Sequence, residues 1–131
     1  LRGPGTGRRV RRGLWSGRLR TLERAGIITG YRAQVDPAKI GLGFEALVFV
    51  TMDTTSADTV AAFEEAVRAV PQVLRAERLF GDPDYLLRVV AADLPSYQEL
   101  WDTRLAALPG VHRVASTIVM KSVVQDRGLP L

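Results

Sequence analysis

From Glu45 onward the chain alternates short apolar runs with two longer stretches in which apolar residues recur every three or four positions. Glu45 to Asp53, "EALVFVTMD", is β-branched and aromatic and has the length of a strand. "DTVAAFEEAVRAV" sets Val60, Phe63, Val67 and Val70 at helical spacing, with Asp58 placed as the N-terminal cap and Pro71 as the stop. Val73 to Phe80 and Tyr85 to Ala92 read as two strands joined by the turn "GDPD", hence a hairpin. In "LPSYQELWDTRLAALPG", Pro95 marks a helix start, and Tyr97, Leu100, Trp101, Leu105 and Leu108 form one stripe before Pro109 and Gly110 end it. Val111 to Val124 completes the series as a long strand.

Strand, helix, strand, strand, helix, strand predicts an α+β domain of ferredoxin-like βαββαβ type, one antiparallel sheet with two helices on one face. Such a sheet ordinarily alternates apolar and polar positions. Here Leu47, Phe49 and Thr51 point one way while Ala46, Val48, Val50 and Met52 point the other. The last strand sets Val114, Ile118 and Met120 against Val111, Val119 and Val123. Both faces need cover, and two helices cover one. A homodimer joined through the bare face is the expected solution; the alternative is an N-terminal segment folded over the sheet.

At 131 residues, 47% of them hydrophobic, the chain reads as one domain with a small N-terminal extra. It holds no apolar run near the roughly 20 residues of a membrane helix and no signal-peptide core, so a cytoplasmic protein with no membrane partner is expected. Cysteine is absent and His112 is the single histidine, which argues against thiolate or imidazole metal sites and against a Ser-His-Asp triad; no cofactor is expected. Charge is unevenly placed. Residues 1 to 32 hold nine Arg and one Glu, whereas residues 33 to 131 hold nine basic and thirteen acidic residues. A basic end on an acidic body suits contact with nucleic-acid phosphates, and it equally suits a solvated tail.

Candidate chemistry concentrates in "GDPDY", Gly81 to Tyr85. Gly, Asp and Pro are ordinary turn residues. Two carboxylates, Asp82 and Asp84, would also attract an ammonium group, and exposed loop amides would bind a carboxylate, which together describe a free amino acid. Ser116 and Thr117 add hydroxyls from the last strand or are simply strand residues. The acid pairs Glu64 with Glu65 and Glu99 with Asp102 read as solvent-facing. No phosphate loop, metal-ligand cluster or nucleophile motif is present, so an enzyme is not expected. The enzyme alternative, a dimeric ferredoxin-like barrel, would need polar residues between helices and sheet.

Ahead of these lies "SGRLRTLERAGIITGYRAQVDPAKIGL", where Arg18, Arg20 and Arg24 share a helix with Leu19 and Leu22, and Gly26 serves as a left-handed cap. It reads equally as the reading helix and wing of a winged helix-turn-helix or as an amphipathic surface helix. Together with "GDPDYLLRV", "LPGVHRVASTIVMKSVV" and the closing "LPL", this stretch resembles the Lrp/AsnC, or feast/famine, family of transcription regulators over residues 16 to 131. The resemblance implies a DNA-binding remnant at 1–30, a hinge at 31–43 and an amino-acid-regulation domain at 44–131. It implies a homodimer that assembles into an octamer or similar ring. An amino acid or similar small-molecule effector would bind between dimers at Gly81, Asp82, Asp84, Tyr85 and Leu86, with Ser116 and Thr117 contributing. DNA would be met by Ser16, Arg18, Arg20 and Arg24. The alternative is a stand-alone amino-acid-binding and oligomerisation module. The departure is "LRGPGTGRRVRRGLW", whose first seven residues hold three Gly and a Pro where the family has helices. Sixteen of the eighteen basic residues are Arg, as in GC-rich genes. Residues 1 to 15 read as a disordered or mistranslated remnant; an out-of-frame reading, with the helix-turn-helix encoded in another frame just upstream of Ser16, would explain both the match and its abrupt end.

Overall fold

A computed structural model describes residues 12–125 and 127–130. The chain divides between Val35 and Asp36. In the first unit, α1 (Arg12–Arg24) starts four residues before Ser16, so Arg12 to Trp15 belong to the helix and not to the irregular remnant. Only one Gly falls among those four, at about 1 kcal/mol relative to Ala, and the Gly-Pro cluster on which the remnant was expected lies outside the described residues. The expected cap is present: Gly26 has φ 76°, its N–H donates to the Glu23 carbonyl at 3.1 Å, and the Ile27 N–H donates to the Leu22 carbonyl at 2.9 Å. Residues 29–35 follow without helix or strand.

The second unit opens with a 3-10 turn, Pro37–Ile40, capped by Asp36 and closed by Gly41 at φ 84°. Next come β1 (Phe44–Met52), α2 (Ala57–Arg68), β2 (Val73–Arg78), β3 (Tyr85–Ala91), α3 (Leu94–Leu100) and β4 (Val111–Ile118). The four strands form one antiparallel sheet in the order β2-β3-β1-β4. This is the βαββαβ fold expected.

On β1 the alternation holds. Ala46, Val48 and Val50 are fully buried with Met52 beside them, and they pack with Leu87 and Val89 of β3 against Phe63 and Val67 of α2 and Leu100 of α3. Leu47 and Phe49 lie on the opposite face, half-buried, in register with Arg88 and Leu86 of β3 and with Thr117 and Ala115 of β4. The helices thus cover one face.

Several boundaries differ from expectation. Ser56, not Asp58, caps α2: the Ser56 hydroxyl accepts from the Thr59 N–H at 3.4 Å, while Asp58 sits inside the first turn. β2 stops at Arg78 because the Leu79 N–H already donates to the Asp84 carbonyl at 2.8 Å, closing the hairpin. β4 stops at Ile118, opposite Ala46 of β1, and one further bond follows, from the Val119 N–H to the Glu45 carbonyl at 2.9 Å. Val111 and Val114 both pack on the core, contrary to simple alternation. A bulge pairs Thr51 with Arg113 but Met52 with Val111, so His112 is the extra residue.

The second helical stripe carries an irregularity of its own. α3 runs on into a π turn, Trp101–Leu105, where the Ala106 N–H donates to the Trp101 carbonyl at 2.8 Å. That wider turn fits the five-residue step from Leu100 to Leu105, both buried. Gly110, at φ 73°, then sends the chain into β4.

Candidate functional site

The loop between β2 and β3 is held from three directions. The Leu79 N–H donates to the Asp84 carbonyl at 2.8 Å, the Asp84 N–H donates to the Val50 carbonyl at 2.9 Å, and the Met52 N–H donates to Asp84 Oδ2 at 2.7 Å. Gly81 adopts φ 147°, a conformation that side-chain-bearing residues avoid, and the Asp82–Pro83 bond is cis. Gly81 and Asp82 are exposed at the tip, whereas Pro83 and Asp84 are partly covered. Phe80, just before Gly81, stands fully in solvent.

The remaining candidate residues diverge from this loop. Tyr85 is buried on the helix side, its ring 4.5 Å from that of Phe63, and its hydroxyl donates to Glu64 Oε2 at 2.6 Å. Burial first, and the Glu64 carboxylate second, push the Tyr85 phenol up to about 12. Leu86 faces the other side of the sheet, next to Phe49. Ser116 lies on the helix side, where its hydroxyl and that of Tyr97 share a hydrogen bond of 2.5 Å; burial raises the Tyr97 pKa. Thr117 is exposed on the opposite face. Because β1 lies between β3 and β4, Ser116 and Thr117 stand two strand spacings from β3, about 10 Å.

Glu64 is the residue that pattern reading missed. It was expected to face solvent with Glu65, yet it bonds Tyr85 and contributes to a loose ion pair with Arg68 at 3.8 Å. Its position was a usable signal, since it sits four residues after Val60 and three before Val67, on the margin of the apolar stripe. His112 pairs with Asp53 at 3.1 Å on the surface. Among the described residues no cluster of His, Asp and Glu could hold a metal ion.

On α1, Arg18, Arg20 and Arg24 are exposed and Ser16 is half-exposed. Arg20 and Arg24, four apart, share one side of the helix, while Arg18 projects about 120° around from Arg24. The Glu23 carboxylate raises the Tyr31 pKa.

The family model described as the Lrp/AsnC ligand binding domain matches residues 45–129. The chain is 36% identical over 114 residues to the Bkd operon transcriptional regulator of Pseudomonas aeruginosa, covering 87% of this chain and 74% of that one. It is also 36% identical over 109 residues to the proline dehydrogenase transcriptional activator of Rhodobacter capsulatus, covering 83% and 71%. Among solved structures, a transcriptional regulator from Neisseria meningitidis in complex with L-methionine superposes with a TM-score of 0.80 at 32% identity, covering 86% of this chain and 73% of that one. These relatives are named as regulators and not as enzymes. The four-stranded sheet with its helices on one face and the match over residues 45–129 show that this chain belongs to the Lrp/AsnC family of transcriptional regulators.

Proposed function

We propose that the chain is a regulator whose Asp36–Leu131 unit binds an amino acid at the loop between β2 and β3 and couples that binding to self-association. The observation that carries this reading is Asp82: an exposed carboxylate at the tip of a loop whose base is fixed by three hydrogen bonds. It lies in a domain similar to that of the regulator solved with L-methionine. Asp82 would take the ammonium group and the loop amides around Gly81 the carboxylate. Leu86 and Thr117, both on the sheet face that the helices leave open, would meet the effector or a neighbouring copy. Asp84, Tyr85 and Ser116, each hydrogen-bonded within its own chain, would shape the site. Since β1 separates Thr117 from the loop, Thr117 would reach an effector across a contact between two copies of the chain.

A thermal-shift screen against the twenty amino acids tests this. At 100 times its Kd, a ligand selective for the folded assembly adds about 2.7 kcal/mol of stability. The most stabilising amino acid should lose most of that effect with Asp82→Asn. Absence of a shift with every amino acid would refute the sensor reading.

We propose further that Arg18, Arg20 and Arg24, with Ser16, meet DNA phosphates. Three phosphate contacts give a slope of log K against log salt of about −2.7. The competing reading, an oligomerisation module without specific DNA binding, is favoured by the divergence of Arg18 from Arg20 and Arg24 around α1. Binding to duplex DNA with no salt dependence, or no binding at all, would select it.

A further inference from the structure

We propose that Asp84 is a positioning residue that anchors the effector loop to the end of β1, and that Asp82 alone supplies the negative charge the loop offers to a ligand. The proposal rests on the amino-acid reading for its ligand but on geometry for the anchor.

Met52 is the last residue of β1 and is buried, so its N–H must find an acceptor within the protein. The neighbouring chain across the sheet is the turn, not a strand, and there the Asp84 carbonyl already accepts from the Leu79 N–H. The side chain of Asp84 therefore does what the main chain cannot, and Oδ2 accepts from the Met52 N–H at 2.7 Å. Its own N–H donates to the Val50 carbonyl, so one residue grips β1 at two places. A charged acceptor makes this bond stronger than an ordinary backbone pair.

The anchor also reaches further than the loop. Asp53, next to Met52, donates its N–H to the Gly110 carbonyl at 2.8 Å, and the Thr51–Met52 bulge sets the register of β4. The loop that carries Asp82 is thus tied through Asp84 to the point where β1 hands over to β4. An Asp84 carboxylate held in this way is turned toward the sheet backbone. Asp82, two residues before it and exposed, has no partner of this kind in the described contacts.

Asn at position 84 keeps a carbonyl oxygen for the Met52 N–H and removes the charge, whereas Ala removes both. In the full chain, amide hydrogen exchange should show the Met52 N–H opening about 10-fold to 100-fold more readily in Asp84→Ala, with most of the protection restored in Asp84→Asn. Affinity for the most stabilising of the twenty amino acids, L-methionine included, should fall by about 10-fold or more in Asp82→Asn and in Asp84→Ala. In Asp84→Asn it should stay within about 3-fold of the unaltered protein. A loss in Asp84→Asn equal to that in Asp82→Asn overturns the proposal, because the charge itself would then be in use. Unchanged exchange at Met52 in Asp84→Ala overturns the anchor. If no amino acid binds the unaltered protein, the sensor reading fails while the exchange measurement still decides the anchor. If Asp84→Ala does not fold, the comparison of Asp84→Asn with Asp82→Asn decides alone.

Discussion

Phe63→Ala is expected to lower the free energy of unfolding by about 3–5 kcal/mol, the range for removing a buried aromatic ring. Phe63 is fully buried at the centre of α2 and packs against the Tyr85 ring, 4.5 Å between centroids. Truncation leaves a cavity beneath β1 and β3, and it also removes the wall that holds the Tyr85 hydroxyl against Glu64. Neighbours cannot readily collapse into that space, since Val48, Val50, Leu87 and Val89 are fixed on strands that pair on both sides. Denaturant unfolding at one fixed protein concentration measures the effect, because any oligomer would add a concentration-dependent share. Phe63→Leu, which keeps most of the volume, should cost about 1.5 kcal/mol or less. A loss below about 1 kcal/mol for Phe63→Ala would mean that the core is loosely packed there.

Gly110→Ala should be nearly as damaging, at about 2–4 kcal/mol, from two separable causes. Gly110 has φ 73°, which disfavours any side chain. A methyl group built there would come within 2.2 Å of Thr59 Cγ2 and 3.1 Å of Met52 Cε. Thr59 is not free to turn away, because its hydroxyl accepts from Ser56 at 2.9 Å and its N–H donates to the same side chain in the cap of α2. Combining Gly110→Ala with Thr59→Ser removes the obstructing methyl and keeps the hydroxyl. The double variant should recover the clash, about half of the loss, and leave the backbone strain. Gly81→Ala is the control, since φ 147° is strained there but no atom lies within 4 Å. Equal losses at the two glycines would show that strain alone governs both.

Periodicity made the order of elements legible, because each core face is written into local sequence. Ala46, Val48, Val50 and Met52 share one side of β1, and Phe63 and Val67 recur along α2, so which residues share a face follows from spacing, while Leu47 and Phe49 leave open which face of β1 the helices cover. What periodicity missed depended on partners distant in sequence. The bulge at His112 arises from pairing with Thr51 and Met52, and it turned Val111 to the same side as Val114. β4 ends at Ile118 although Val119, Val123 and Val124 are β-branched, so residue type alone does not mark its end. Asp84 had the same composition-level meaning as Asp82 until the Met52 N–H was placed beside it. In the candidate loop, then, residue type showed a turn, while the Asp84 bond to Met52 depended on a partner 32 residues away in sequence.

The strand order has a consequence for the time course of folding. β2 and β3 are joined by a turn of a few residues, so their pairing is local in sequence. β1, by contrast, must pair with β3 and with β4, and Val50 meets Val114 half a chain away. Such distant closures slow a domain of this class toward milliseconds or longer. The Asp84 bond to Met52 joins the two kinds of contact, tying the local hairpin to the strand whose pairings are long-range.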